Sequence, residues 1–183
     1  MKLLDDDQVQ SFINFGFLEI PLPELDSIHS EVTSRLREVC EAETHHGNNI
    51  LPRIPLLQKV LRNDKIHGAL VSLIGPDYLL HPHRAVHRST PLRKALDGFS
   101  RSSDGHLMGD GSTATSIWHQ DAQSPLARAR HHFPKFLIGF YFPHEVTTEM
   151  GATRFLIASH CDNGPDLNRA IYQPQHIRAG TFF

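Results

Sequence analysis

The chain has 183 residues, of which 39% are hydrophobic and 21% are charged, and its formal net charge is −2. This composition is typical of a globular protein and argues against a disordered one. The 18 basic residues form no run that could follow a phosphate backbone, so we expect no nucleic acid partner. The N-terminus lacks the apolar core of a signal peptide, and no apolar run reaches the roughly 18 residues of a membrane span. We therefore expect a cytoplasmic protein without a membrane partner.

The first 75 residues carry the patterns of helices. The acidic run at residues 5–7 can cap a first helix, and Gly16 can end it. FLEIPLP predicts a short strand, and apolar residues at intervals of three and four predict a second helix from about Pro23. A third helix is expected over residues 56–74, because the Gly-Pro pair that follows it is a strong stop signal.

Beyond residue 75 the patterns favour strands. Residues 78–86 predict one strand, residues 92–111 a long loop that is a candidate lid, and four further segments look β-prone: ATSIWHQD, FLIGFYF, ATRFLIA and HIRAGTFF. We expect FLIGFYF and ATRFLIA to be antiparallel neighbours, since only about ten residues separate them. The sequence thus predicts a single α+β domain over residues 1–183, with a helical part at 1–75 and a β-sandwich part at 76–183.

The segment SIWHQD contains a candidate metal-binding pair. On a strand, side chains two residues apart point to the same face, so His119 and Asp121 converge. An imidazole and a carboxylate are two of the three protein ligands in the 2-His-1-carboxylate site of iron(II) oxygenases. A hydrogen bond between the two side chains at the end of a strand is the alternative interpretation of this spacing.

The surroundings of this pair resemble a known family. SIWHQDAQSP, followed by HFPKFLIGFYFPHEVTTEMGATRFLIASH, is similar to the core of the phytanoyl-CoA dioxygenase family of iron(II)- and 2-oxoglutarate-dependent oxygenases, particularly its bacterial members. The family's H-x-D falls on His119 and Asp121. Its N/M-G-x-T-x-x-x-P-G-S-H turn falls on residues 150–160, and residues 75–80, GPDYLL, fit its helix end. The resemblance covers nearly the whole chain in one consistent order.

This resemblance implies N-terminal helices packed on a double-stranded β-helix, a jelly-roll or cupin-like core. Two departures from the family pattern stand out. Ile157 and Ala158 replace the proline and glycine of the turn, which is expected to alter that loop locally. The family's distal metal histidine, and its arginine for 2-oxoglutarate, come after a strand similar to HIRAGTFF, and they are not found within residues 1–183. We therefore expect an incomplete C-terminus, and a 183-residue chain that binds iron(II) weakly and is inactive alone.

The resemblance also assigns residues near the cosubstrate. Phe140 falls where an aromatic side chain flanks 2-oxoglutarate in relatives, although a core aromatic would look the same in the sequence. His87, together with His83, lies in a region that faces the cosubstrate in the family. His160 and His176 are weaker candidates for the third metal ligand, because the family places its distal histidine later in the chain.

The implied activity is hydroxylation of an unactivated C–H bond in a small organic substrate, with iron(II), 2-oxoglutarate and molecular oxygen. His119 and Asp121 would be both the metal ligands and the catalytic residues. An aspartate at position 121 favours hydroxylation over halogenation, because related halogenases carry a small residue there. Two alternatives remain open: an inactive β-helix domain that binds a ligand or a partner, and a cupin-like enzyme that uses another metal.

Overall fold

A computed structural model describes most of the chain outside its centre. The described residues are 1–43, 49–82, 84–86, 136–150, 153–161, 170–172 and 174–183. The chain divides into two compact units, the first formed by Met1–Val86, Phe133–Glu145 and Arg178–Phe183 and the second by His87–His132 and Val146–Ile177. The first unit therefore combines the N-terminal helices with segments from the C-terminal half. The expected single domain, with its helical and β parts meeting at residue 75, stays a prediction.

Helix α1, Asp6–Phe15, follows the predicted local signals. The Asp5 side chain accepts a hydrogen bond from the Gln8 backbone N–H at 2.8 Å, and the Gln8 side chain accepts one from the Asp5 N–H at 3.1 Å. Gly16 ends the helix at φ +84°, a left-handed conformation that glycine adopts without steric cost. The predicted first helix is confirmed.

The remaining helices differ from the prediction in one place. A short 3₁₀ turn, Pro23–Leu25, leads into α2, Asp26–Ala42, as expected. The third predicted helix is divided into α3, Leu57–Leu61, and α4, Asp64–Ile74. Asn63 causes the division, because its extended backbone ends α3 and its side chain accepts a hydrogen bond from the Lys65 N–H at 2.8 Å.

The helices of the first unit enclose two apolar clusters. In one, Leu22, Val60 and Ile66 are each 1% exposed. In the other, Val32 packs with Ile50 and Ile54. Burial of each such side chain contributes about 1.5 to 3 kcal/mol, so these clusters are a main source of stability for the first unit.

Seven short strands complete the described structure. They are β1 (Ile20–Pro21), β2 (Tyr141–Phe142), β3 (Val146–Thr147), β4 (Phe155–Leu156), β5 (Ile171–Tyr172), β6 (His176–Ile177) and β7 (Thr181–Phe182). In the first unit, β7 lies between β1 and β2 and is antiparallel to both. In the second unit, β3 pairs with β6 and β4 pairs with β5, again antiparallel.

Two expectations about the strands are not met among the described residues. The pairs that form there are β2 of FLIGFYF with β7 and β4 of ATRFLIA with β5, and no described ladder joins FLIGFYF to ATRFLIA. Residues 78–82 and 84–86 contain no strand, and their one ladder contact is an isolated bridge between Asn49 and Arg84. Pro82 offers no backbone N–H there, and the Leu79 side chain is 92% exposed, so neither residue supports a strand packed on a core.

The predicted terminal strand HIRAGTFF is interrupted. Its two ends form β6 and β7, and a turn at Gly180 with φ +79° separates them. In the described residues, helices and small antiparallel sheets occur together, and the strands form no closed barrel. The α+β class is confirmed at this level. None of the described helices combines the length and the apolar character that a membrane crossing requires.

Candidate functional site

The predicted metal-binding pair lies outside the described residues. His119 and Asp121 fall in this part of the chain, as do His83 and His87 from the predicted cosubstrate region. Their assignment stays a prediction. Within the described ranges, no three His, Cys, Asp or Glu side chains lie together as a group that could hold a metal ion.

Phe140 is the one cosubstrate candidate that the structure describes. It is half-buried and immediately precedes β2. Its backbone extends the pairing of β2 with β7, since its N–H donates to the Phe183 carbonyl at 2.8 Å and its carbonyl accepts from the Phe183 N–H at 2.9 Å. Strand alternation then places Phe140 on the same face as Phe142 and opposite to Tyr141.

The face that carries Phe140 is aromatic. The Phe142 ring meets the Phe183 ring edge-on, with centroids 5.8 Å apart, and the Phe17 ring lies 6.5 Å from that of Phe183. Edge-to-face contacts of this kind stabilise a fixed arrangement of rings. Phe140 therefore adds to an apolar aromatic wall, which is a surface suited to flank an organic molecule and equally suited to a protein core.

On the opposite face of β2, Tyr141 forms a hydrogen-bonded pair with His29 of α2. The sequence did not predict this pair. His29 in α2 is only 1% exposed, yet both of its ring nitrogens have partners. Nε2 lies 2.8 Å from the Leu22 carbonyl oxygen, and Nδ1 lies 2.6 Å from the Tyr141 hydroxyl. A carbonyl can only accept, so Nε2 carries a proton, and in that tautomer Nδ1 is the acceptor for the Tyr141 hydroxyl. Burial raises the pKa of the Tyr141 hydroxyl, which keeps this donor protonated.

A signal for His29 was present in the helical pattern. Leu25 just before α2, followed by His29 and Val32 within it, shows the intervals of four and three residues that mark the buried side of the helix. A histidine in that series has to find hydrogen-bond partners inside the protein. The pattern could not show which groups they would be, because Tyr141 lies 112 residues away in the chain.

An open cleft of about 570 Å³ lies next to this pair in the first unit. Its lining residues are Asp26, His29, Ser30, Thr33, Pro143, His144, Glu145 and Ala179. The Thr33 hydroxyl is bonded to the His29 and Pro143 carbonyls, and the Ser30 hydroxyl donates to the Asp26 carbonyl. Thr33 therefore joins α2 to the segment after β2, and the remaining polar side chains of the lining are two carboxylates and two imidazoles.

The two weaker candidates for the third metal ligand, His160 and His176, lie in the second unit. His160 belongs to a 3₁₀ turn, Ser159–Cys161, and its side chain is exposed. His176 is the first residue of β6 and is also exposed. Neither belongs to a three-residue metal-binding group among the described residues.

Ala158 adopts an unusual backbone conformation. Its φ is +59°, in the left-handed region, at the position where the family motif has glycine. The turn thus keeps a glycine-like conformation even though Ile157 and Ala158 occupy the Pro-Gly positions. The neighbouring Ile157 N–H donates to the Ala170 carbonyl at 2.9 Å, which helps to hold the turn in place.

We expect the substitution Ala158→Gly to stabilise the protein. An L-residue in the left-handed region costs about 1 to 2 kcal/mol, while the extra freedom of glycine in the unfolded chain costs about 0.4 to 1 kcal/mol. The net gain in the free energy of unfolding is therefore between about 0 and 1.6 kcal/mol. Urea denaturation of the two proteins measures it, with Ala170→Gly as the control. A loss of stability in Ala158→Gly equal to that in the control would contradict the prediction.

Comparisons of the chain with models of known protein families, with curated proteins and with solved structures give no match.

Proposed function

We propose that the protein is an iron(II)- and 2-oxoglutarate-dependent dioxygenase that hydroxylates an unactivated C–H bond of a small organic substrate. The observation that carries this proposal is the order of motifs, with His119-x-Asp121 preceding the turn of residues 150–160. The left-handed conformation of Ala158 supports it, because this residue stands where the motif has a glycine. The proposal includes a double-stranded β-helix core, of which the small antiparallel sheets would be parts.

The chemistry of the donor set fits iron(II). A neutral imidazole from His119 and a carboxylate from Asp121 are the ligand types of the facial triad, which leaves one side of the ion for exchangeable ligands. When bound, the iron supplies the oxygen activation that couples oxidation of 2-oxoglutarate to hydroxylation of the substrate. The third protein ligand is not assigned.

The protein's own contribution would be to bind the metal ion and the cosubstrate and to exclude water from the site. Asp121 offsets part of the charge of the ion, and Phe140 would form an apolar wall beside the cosubstrate. An apolar wall lowers the local dielectric constant and thereby strengthens the polar contacts made inside the site. The aromatic face shared by Phe140, Phe142 and Phe183 gives this wall a fixed arrangement.

The test is anaerobic titration of iron(II) into the protein, produced from its complete reading frame, followed by addition of 2-oxoglutarate and an assay for succinate. We expect His119→Ala and Asp121→Ala each to weaken iron binding at least tenfold, by analogy with the typical cost of losing a ligand-supporting group of about 10- to 100-fold. The matched control is His144→Ala, an exposed histidine of the first unit, which should bind iron like the unmodified protein.

The outcomes separate the alternatives. Equal iron binding by His119→Ala and the control would overturn the assignment of the metal pair. Metal binding that depends on His119 without any formation of succinate would favour a cupin-like enzyme of different chemistry. A folded protein that binds neither iron nor 2-oxoglutarate would favour a ligand- or partner-binding domain.

A further inference from the structure

A second open cleft, of about 520 Å³, lies on the exposed side of α3 in the first unit. Its described lining residues are Pro55, Leu56, Gln58, Lys59 and Arg62. The volume falls within the range of about 300 to 1,000 Å³ that is typical of small-molecule sites. Two cations and one amide stand beside apolar side chains, and there is no carboxylate among these described residues. The cleft is therefore both apolar and positively charged.

The apolar core holds this wall of the cleft in place. Val60 is 1% exposed and belongs to the cluster that contains Leu22, while Leu56 and Leu57 pack against the cluster that contains Val32. The buried side of α3 thus contacts both clusters. A site whose wall is fixed by the core loses little conformational entropy when a ligand binds.

Lys59 and Arg62 are the charged groups of the cleft. They lie three residues apart, a spacing that makes side chains neighbours on a helix surface. Other cations of the first unit are paired, since Arg35, Arg53 and Lys65 each have a carboxylate oxygen within 2.7 to 2.8 Å. Within the part of the chain that the structure describes, the side chains of Lys59 and Arg62 make no ion pair and no hydrogen bond. Both cations are therefore available to an anion from solution.

The anionic group that fits these two cations is a carboxylate. The guanidinium of Arg62 presents paired N–H donors that match the two oxygens of a carboxylate, and Lys59 adds a second positive charge beside it. A phosphate group is typically held by free backbone amides as well. The amides at the start of α3 are already used, because those of residues 57–59 donate to the carbonyls of residues 54–56 at 3.0 to 3.1 Å.

We propose that this cleft binds a small organic carboxylate with a short hydrocarbon tail. Lys59 and Arg62 bind the carboxylate, and Pro55 and Leu56 contact the tail. Neither part suffices alone, because solvent screens an exposed ion pair and the small apolar lining buries too little surface to hold a neutral chain. The site therefore selects ligands that carry both parts. Binding here requires no iron.

The experiment is a titration of the protein, without added metal, with hexanoate, followed through its backbone amide signals by NMR. Acetate, which lacks the tail, and hexan-1-ol, which lacks the charge, are the comparison ligands, and hexyl phosphate tests the head group. The variants are Lys59→Ala and Arg62→Ala. Their matched control is Arg37→Ala, which removes an exposed cation of α2 outside the cleft.

We expect hexanoate to shift the amide signals of residues 56–62 and each of the two cleft variants to weaken its binding about tenfold, a loss typical of a hydrogen bond to a charged group. Arg37→Ala should keep the dissociation constant. Acetate and hexan-1-ol should bind at least about tenfold more weakly than hexanoate. The amide spectra of the variants also verify that they are folded.

Three results would refute the site: no shift of residues 56–62 by hexanoate, equal dissociation constants in the cleft variants and in Arg37→Ala, or hexan-1-ol binding as tightly as hexanoate. Tighter binding of hexyl phosphate than of hexanoate would contradict the choice of a carboxylate. Salt gives a further check, because the affinity for hexanoate should fall as ionic strength rises, whereas binding through the apolar lining alone would not weaken.

Discussion

Substitution of Gly180 by alanine is expected to lower the free energy of unfolding by about 3 kcal/mol or more, a loss in the range that strain and overpacking produce at buried sites. Two effects add. At φ +79°, alanine carries the cost of a left-handed backbone. The new methyl group would also overlap the His29 ring, which is 1% exposed and bonded at both nitrogens, so the ring can move only by breaking a buried hydrogen bond. Equilibrium unfolding in urea measures the loss.

A matched variant separates the two effects. Gly75 also has a positive φ, of +90°, with ψ 168°, and a methyl group there would meet no atom within 4 Å, so Gly75→Ala gives an upper reference for backbone strain without overlap. A double-mutant cycle with His29→Ala then isolates the overlap. In the His29→Ala background, Gly180→Ala should cost no more than Gly75→Ala, because the backbone of Gly75 lies in a region that is essentially restricted to glycine. A full additional loss in that background would show that the His29 ring is not the obstacle.

Substitution of Ile54 by alanine is the second change with a large expected effect. Ile54 is 1% exposed and packs with Val32 and Ile50 in the cluster beneath α2. Truncation of a buried isoleucine removes apolar contacts and leaves a cavity, which typically costs 2 to 5 kcal/mol. We expect about 3 kcal/mol, which corresponds to a fall in melting temperature of roughly 6 to 12 °C for a chain of this size.

The control for Ile54 is the same substitution at an exposed site. Ile13 lies in α1 with 60% of its surface exposed, so Ile13→Ala should change the free energy of unfolding by less than about 0.5 kcal/mol. Differential scanning calorimetry on both variants makes the comparison. Equal melting temperatures for the two variants would mean that the cluster around Ile54 does not form as described.

The sequence predicted the helices better than the strands, and the reason is the range of the interactions involved. The capping box of Asp5 with Gln8 spans three residues, and Gly16 ends α1 through its own backbone conformation. Each of these signals depends only on residues of α1 and its immediate flanks. The division between α3 and α4 at Asn63 was missed because apolar periodicity continues across it, although the Asn side chain is itself a local cap.

The pairing of the strands, by contrast, does not follow from local signals in the sequence. β7 pairs with β1 through Ile20 and Phe182, and with β2 through Tyr141 and Phe182. No local pattern specifies these partners, since β-prone segments of similar composition can pair with one another in several orders. The expected pairing of FLIGFYF with ATRFLIA rested only on their closeness in the chain, whereas the described partner of β2 is the more distant β7.

The candidate site was likewise predicted only in part from the sequence. The sequence by itself determined the chemical character of the chain: an α+β order of segments, and an imidazole and a carboxylate spaced as His119-x-Asp121. Only the tertiary structure decided that His29 is buried with two hydrogen bonds and that Phe140 lies on the aromatic face opposite Tyr141. The physical reason is that caps and side-chain alternation act between neighbours in the chain. The Tyr141 partner of buried His29 lies 112 residues away in the chain, and only packing between segments brings the two together.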